Sequence, residues 1–471
     1  MSKKHQKNKS VSSKEPLPQQ STQQQSTPAD QEVTPQQPPQ QQSTQVEVIS
    51  QPPPPAQQQP NPYKYPVRFF YGPGLTHLPK DILAKILSYF HSNKLTNSPI
   101  IGKINVPGIS MDFNFGLRLE VPPGEKYLVQ VKDDFNEVVL FNEEIENTTL
   151  ISAEKFFVHW HVIISKNGQI LFNYQFNPRG QRVHFVFHQA LGDNITLFPY
   201  MEVFQKAYGC KISCSVPTYL QELVRTYYPN VEITETLPYD TYATYYMAAC
   251  INVPIAANFD SRAVPLVDIG KTIMGDTRIG EIGRVVFKPT KPRQIKEPYV
   301  CIAVQASTTA KSWLYPGGWD IVVNHLKQRG YRVICIDRER ECTNYGNTVT
   351  MPAGAEDFTG NIPLMDRVNM LAYADFFISI SSGLSWVAWS VDIPVIMISG
   401  ITEPWYEFAT PYRIRNQMVC NGCFNDLRVD LAECYNCKRY ENTDRKFECS
   451  KRITPTRVLE AIDRLINNLH K

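Results

Sequence analysis

The run Ala374-Asp375-Phe376-Phe377-Ile378-Ser379-Ile380-Ser381-Ser382-Gly383-Leu384-Ser385-Trp386, continued by Val391-Asp392-Ile393-Pro394-Val395-Ile396-Met397-Ile398 and Gly400-Ile401-Thr402-Glu403-Pro404, decides how this chain folds. It reads as a buried strand, a small polar turn, a short helix and a second buried strand that stops at a loop. That is the pattern of one parallel βαβ unit. In such a unit the turn after the first strand faces a crevice at the carboxyl edge of the sheet. Ser381, Ser382 and Gly383 would place backbone N–H groups and hydroxyls at a helix N-terminus there, where an anion such as a diphosphate is stabilised. A plainer reading of the same residues is a tight turn that only caps the helix.

Moving outward, Val300-Cys301-Ile302-Ala303-Val304 opens the same parallel sheet and is followed by the polar turn Gln305-Ala306-Ser307-Thr308-Thr309-Ala310-Lys311. A helix over 318–328, a strand over 332–336 and the connection Asp357-Phe358-Thr359-Gly360 complete the unit. Lys311 falls on the carboxyl edge that carries Ser381, Ser382 and Gly383. An ammonium and a helix N-terminus converging there suit a pyrophosphate leaving group, whereas a lone loop lysine is otherwise merely solvated.

A second α/β unit lies upstream: strand His184-Phe185-Val186-Phe187-His188, turn Gln189-Ala190-Leu191-Gly192-Asp193-Asn194, an amphipathic stretch over 195–208, a strand over 211–216 and a helix over 219–227. Asp193 sits at the strand's carboxyl end, where it is either a general base for an acceptor hydroxyl or a helix cap. A helix is expected over 239–250, then a loop-rich bridge with a boundary near 290–298. Before this unit, residues 65–182 show short alternating runs broken by Gly, Pro and Asn, an antiparallel β module with one helix over 78–90. The first 60 or so residues are Gln, Pro, Ser and Thr, which bury too little apolar surface to order. The expected partition is 1–64 disordered, 65–182 β-rich, 183–297 and 298–418 Rossmann-like, and 419–471 cysteine-rich with a final helix.

At 471 residues the chain has room for two or three domains. Its net charge of +3 supplies no basic stripe for nucleic acid. No apolar run reaches the roughly 18 residues of a membrane helix, so a protein without a membrane span, resident in the cytoplasm, is expected. Five of the eleven cysteines fall between Cys420 and Cys449. Cys420-Asn421-Gly422-Cys423 is a CxxC knuckle, and Cys434, Cys437 and Cys449 follow. Four thiolates at such spacing give a tetrahedral metal site. Spacing alone selects Cys420, Cys423, Cys434 and Cys437, with zinc as the default ion and a disulfide network as the alternative.

Asp357-Phe358-Thr359-Gly360, Ala374-Asp375-Phe376-Phe377-Ile378, Ser381-Ser382-Gly383, Ile393-Pro394-Val395 and Gly400-Ile401-Thr402-Glu403-Pro404 resemble, in order and spacing, the C-terminal half of the ADP-heptose heptosyltransferases. Gln189-Ala190-Leu191-Gly192-Asp193 is similar to their N-terminal glycine-aspartate motif. Ala310-Lys311-Ser312-Trp313 with Gly318-Trp319, Ser381-Ser382-Gly383-Leu384-Ser385-Trp386, Thr402-Glu403-Pro404-Trp405 and the cysteine tail resemble, more narrowly, the autotransporter protein heptosyltransferases of bacteria. The resemblance spans roughly residue 183 to the C-terminus, and the β module more loosely.

The resemblance implies an α/β protein of the GT-B glycosyltransferase fold: two Rossmann-like domains across a cleft, an added N-terminal β-rich domain and a C-terminal metal-binding segment with four cysteine ligands. It implies transfer of heptose from ADP-heptose to serines of an autotransporter passenger, by a homo-oligomer. Asp193 takes the position of the base and Lys311 that of the lysine facing the donor phosphates. Thr308, Thr309, Ser381, Ser382, Gly383, Leu384 and Glu403 complete the implied donor-binding set. Cys420, Cys423, Cys437 and Cys449 match the family's ligands, with iron implied, zinc the alternative and Cys434 left out. Ser382 and Trp386 stand where the lipopolysaccharide enzymes carry aspartate and histidine, which counts against a glycolipid acceptor. Trp313, Trp319 and Trp386 are expected as core or sugar-stacking aromatics, and the cysteine tail as a structural clip distant from the chemistry. A non-catalytic Rossmann scaffold with a zinc ribbon is the rival from another class.

Overall fold

The computed structural model describes residues 69–72, 100, 102, 104–152, 156–187, 190–247, 260–275, 282, 284–344 and 347–470. The expected disordered tail and the helix expected over 78–90 lie outside the described residues. Among the described residues no helix is long and apolar enough to cross a membrane.

The N-terminal part is built from β1 (Phe69–Gly72), β2 (Ser110–Asn114), β3 (Arg118–Val121), β4 (Tyr127–Asp133), β5 (Val138–Ile145), β6 (Thr148–Ser152), β7 (Trp160–Lys166) and β8 (Gln169–Gln175). β5, β4, β7 and β8 form, in that order, a four-stranded antiparallel sheet. Alternation along β7 turns Trp160, Val162 and Ile164 inward and the residues between them outward. The other four strands do not stand apart. They continue into the next sheet, because β2 pairs in parallel with a strand that follows residue 182.

That sheet is completed by β9 (Arg182–Val186), β10 (Lys211–Ser215), β11 (Glu232–Ile233) and β12 (Thr241–Tyr246), in the order β1-β6-β3-β2-β12-β9-β10-β11. Helices α1 (Leu191–Leu197), α2 (Pro199–Tyr208), α3 (Thr218–Tyr227) and α4 (Ile269–Met274) belong to this half. The helix expected over 239–250 is corrected by β12. Thr241, Tyr242, Thr244, Tyr245 and Tyr246 are β-branched or aromatic, and they fill the slot between β2 and β9.

The second half contains β13 (Tyr299–Ala303), α5 (Gly318–Gln328), β14 (Arg332–Cys335), the hairpin β15 (Glu341–Asn344) and β16 (Asn347–Thr350), β17 (Glu356–Asp357), α6 (Leu364–Ala372), β18 (Phe376–Ile380), α7 (Gly383–Ser390), β19 (Val395–Ile398) and β20 (Arg413–Ile414). Its six-stranded sheet runs β17-β14-β13-β18-β19-β20, every pair parallel. All residues of β13 and β18 are buried, as a parallel strand covered on both faces requires. The tail adds α8 (Leu431–Asn436), α9 (Glu448–Lys451) and α10 (Pro455–Leu469). Pro455 opens α10. Val458, Ala461, Ile462, Leu465 and Ile466 line one face and share a core with Val322, Val323 and Leu326 of α5.

The two halves meet where α1 and α7 start. A Cβ on Gly383 would lie 2.7 Å from Leu191 Cβ, and one on Gly192 would lie 2.5 Å from Trp386 Cδ1. Neither neighbour can yield cheaply, because Leu191 and Trp386 both pack into the hydrophobic core that the two helices share. We expect Gly383→Ala to lower unfolding free energy by about 1–3 kcal/mol through overpacking, seen as a lower urea midpoint with an unchanged m value.

Candidate active site

A cleft of about 550 Å³ opens at this junction, lined from one half by Ala190, Leu191, Gly192 and Asp193 and from the other by Lys311, Ser381, Ser382, Gly383 and Leu384. Asp337, Arg338, Glu339, Thr402, Tyr406 and Glu407 also line it, as do Phe424 and Tyr435 of the cysteine tail. Two α/β carboxyl edges thus supply one pocket, the place such sheets offer for ligands.

Asp193 stands in the first turn of α1, three residues after the cap residue Ala190. The backbone N–H groups of Ala190 and of Asp193 itself favour its ionised form. The cap residue is Ala190, so Asp193 does not take the N-cap place itself; it lies in the first turn and borders the cleft. Part of Asp193 remains open to the cleft, yet burial raises its pKa and the Lys311 ammonium pulls the other way.

Lys311 ends a short 3-10 turn, Thr309–Lys311, capped by Thr308, whose Oγ1 accepts from Ala310 N at 3.4 Å. Thr308 and Thr309 are themselves buried and fall outside the cleft lining. Asp337, missed in the sequence, holds the start of this loop: its carboxylate accepts from Val304 N (2.8 Å) and Gln305 N (3.2 Å). Its burial pushes its pKa up to about 6. Arg367 ties the neighbouring connection, donating to the carbonyls of Ile336 (2.8 Å), Asp337 (2.9 Å) and Gly360 (2.7 Å).

At the start of α7, no side chain caps the helix. Ser382 Oγ lies 3.3 Å from Ser379 Oγ instead, so the first-turn N–H groups of this apolar helix face the cleft without a capping hydroxyl. Ser381 is committed elsewhere, its hydroxyl donating to Glu407. Glu403 is also turned away. It pairs with Arg415 at 2.6 and 2.9 Å and does not line the cleft. Trp313 and Trp319 are packing, meeting at 5.3 Å with Trp313 donating to the Ile453 carbonyl (2.9 Å), whereas Trp386 meets Phe408 edge-on at 4.9 Å and also lines the cleft.

The cysteine tail is not distant from this chemistry, contrary to expectation. Besides Phe424 and Tyr435 in the lining, Ser450 bridges the loop after Lys311, donating to the Ser312 carbonyl and accepting from Leu314 N at 2.7 Å. Described cysteines are free thiols. Four of the five tail cysteines fall into two pairs: Cys434 with Cys423, Sγ to Sγ 3.2 Å, and Cys449 with Cys420. Each bond lowers the pKa of the CxxC thiol and raises that of its partner. Cys437 Sγ accepts from Phe447 N at 3.2 Å. Cys434, left out of the expected ligand set, is bonded to one of that set's members, Cys423. Among the described residues no group of three or more His, Cys, Asp or Glu side chains is arranged to hold a metal ion. The donor chemistry nevertheless suits a soft metal, because the tail offers thiols, the ligands that zinc and iron sites take.

Two family descriptions match the chain: "Glycosyltransferase TibC, N-terminal domain" over 106–168 and "Glycosyltransferase family 9 (heptosyltransferase)" over 277–435. The autotransporter heptosyltransferase BAHTCr of Citrobacter rodentium is 39% identical over 380 residues, 77% of this chain and 90% of that one. TibC of Escherichia coli O78:H11 is 37% identical with the same coverage. The crystal structure of TibC, a dodecameric, iron-containing heptosyltransferase in complex with ADP-D-β-D-heptose, superposes with a TM-score of 0.74 at 35% identity, covering 78% of this chain and 98% of that one. BimC of Burkholderia thailandensis, 32% identical over 75% of this chain and 85% of its own, is described as an inactive autotransporter heptosyltransferase.

The burial of Asp193 has a consequence for stability. A carboxyl whose folded pKa is raised favours the folded state fully at low pH, and that contribution is lost as pH rises from the unfolded value through the folded one. Asp193→Asn should therefore be more stable than the wild type near neutral pH and show no such gain in strong acid. Urea unfolding of both proteins from strong acid to neutral pH checks this.

Proposed function

This chain belongs to the autotransporter heptosyltransferases within glycosyltransferase family 9, and from that membership we propose that it transfers heptose from ADP-heptose to serine hydroxyls of an autotransporter passenger. The observation that carries the reading is the convergence of Asp193, Lys311 and the Ser382–Gly383 backbone on one cleft between two α/β halves.

Asp193 takes the proton of the acceptor serine, and the serine oxygen attacks the anomeric carbon of the heptose. The bond from that carbon to the diphosphate breaks, and ADP leaves with its new charge facing the Lys311 ammonium and the start of α7. The raised pKa of Asp193 makes it a stronger base once ionised, so proton transfer is better matched than with an ordinary exposed carboxylate. Lys311 both lowers the cost of that ionisation and receives the leaving group.

Cys420, Cys423, Cys437 and Cys449 would hold iron, with zinc the alternative, and the bound metal would crosslink the tail. A homo-oligomer in the cytoplasm fits the dodecameric relative and the lack of an apolar spanning helix among described residues.

Because one relative is described as inactive, turnover itself is the decisive measurement. Incubation with ADP-heptose and a passenger fragment should add heptose to serines by mass spectrometry, and a lipopolysaccharide acceptor assayed in parallel should stay unmodified. Asp193→Asn should cut the transfer rate roughly a thousandfold while ADP-heptose affinity changes little. A variant retaining near wild-type transfer would end the base assignment. Protein purified without added metal should carry about one iron per chain by elemental analysis. Because Phe424 and Tyr435 line the cleft, removing that metal should weaken ADP binding as well as lower the melting temperature.

A further inference from the structure

Glu407 accepts hydrogen bonds from three side chains at the cleft and has no part in the transfer chemistry above. It lies in the loop after β19, its side chain 4% exposed, and its charge is balanced by Arg413 at 2.7 Å, itself 10% exposed. Ser381 Oγ donates to one carboxylate oxygen of Glu407, and Thr402 Oγ1 donates to the other at 3.0 Å. Ser399 Oγ lies 2.9 Å from Thr402 Oγ1. All three hydroxyl residues are 3% exposed, while Ser381, Thr402 and Glu407 border the cleft.

Proton counting then fixes the polarity of this wall. A hydroxyl has one proton to give and two lone pairs to offer. The protons of Ser381 and Thr402 are spent on Glu407, so what these oxygens present to the cleft is lone pairs, beside a carboxylate that also only accepts. Such a wall cannot donate to a diphosphate, whose oxygens are acceptors, and at close range it repels one. It suits a ligand that brings several hydroxyl donors. The phosphate-facing groups lie on the other side of the same turn: the backbone at Ser382 and Gly383, and Lys311.

We propose that Glu407, acting through Ser381 and Thr402, makes this wall an acceptor-only subsite for the sugar hydroxyls of the donor. The turn is thereby split into a sugar side at Ser381 and a diphosphate side from Ser382 onward. The inference rests on the reading that the cleft takes a nucleotide-activated sugar. Glu407 is a positioning and specificity residue here, and it bonds the sugar only through the hydroxyls it orients or by its own free lone pairs.

Glu407→Gln tests it, because the carboxamide must donate to one of the two hydroxyls and so turns that hydroxyl's proton back toward the cleft. Calorimetric titration of ADP and of ADP-heptose onto the full chain separates the two sides of the turn. The expected result is ADP affinity within about twofold of wild type and ADP-heptose affinity lower by about tenfold or more, the size of a lost charge-assisted hydrogen bond. Ser381→Ala should show the same split with a smaller loss, and it carries the test if Glu407→Gln fails to fold. Equal loss of both ligands, or loss of neither, overturns the inference while leaving the transferase reading intact. A wild-type chain that binds ADP-heptose no more tightly than ADP also overturns it. A wild-type chain that binds neither overturns the donor reading, and this inference with it.

Discussion

The close approach of α1 and α7 is the constraint on which the rest depends. Each helix begins at the carboxyl edge of its own sheet, and each carries a glycine where the other half presses closest: Gly192 against Trp386, and Gly383 against Leu191. Two side chains larger than hydrogen at those places would push the halves apart. The cleft would widen by the same amount, and Asp193 would move away from Lys311, whose charge now tempers its pKa. The base and the leaving-group side belong to different sheets, so their spacing is a property of this contact rather than of either half.

The electrostatics of the cleft follow from that geometry. Helix starts and the Lys311 ammonium supply positive potential, and the Glu407 and Asp337 carboxylates are among the groups that line the remainder. These two are answered locally, Glu407 by Arg413 and Asp337 by backbone N–H groups. A buried ion pair such as Glu407–Arg413 adds little net stability against an apolar alternative, because both ions give up their hydration. Its presence beside Ser381 is better understood as orientation. Hydroxyl rotors are free in water, and here two of them have been given one direction.

Much of this is legible in the chain, and what is not has identifiable causes. β13 and β18 announce themselves as unbroken apolar runs because parallel strands are buried on both faces. Asp193, Lys311 and the serine turn are legible because each sits a fixed step beyond such a run. β12 reads locally as helix: its Thr and Tyr residues recur at spacings that also fit a helix, and only the waiting slot between β2 and β9 decides for strand. The sheet that crosses residue 182 is invisible for a related reason, since pairing partners far apart in sequence leave no local mark. Glu407 and Asp337 escape because an acidic residue in a loop looks solvated until its partners arrive from other segments. Thr308, Thr309 and Glu403 show the opposite case. They lie next to the site in sequence, and in this structure Thr308 caps a turn while Glu403 pairs with Arg415, all three outside the cleft lining.

The serine next to Cys449 makes the tail and the Lys311 loop a single mechanical piece. Ser450 takes a hydrogen bond from one side of that loop and gives one to the other, so the loop has no independent resting shape. Lengthening or repacking the cysteine segment would be felt first as a changed reach of one lysine, with the fold otherwise unaltered. The tail is in this sense a ruler for the pocket as much as a support for the domain. Variation in either stretch is therefore tolerable only when the other accommodates it, even though a long span of chain separates them.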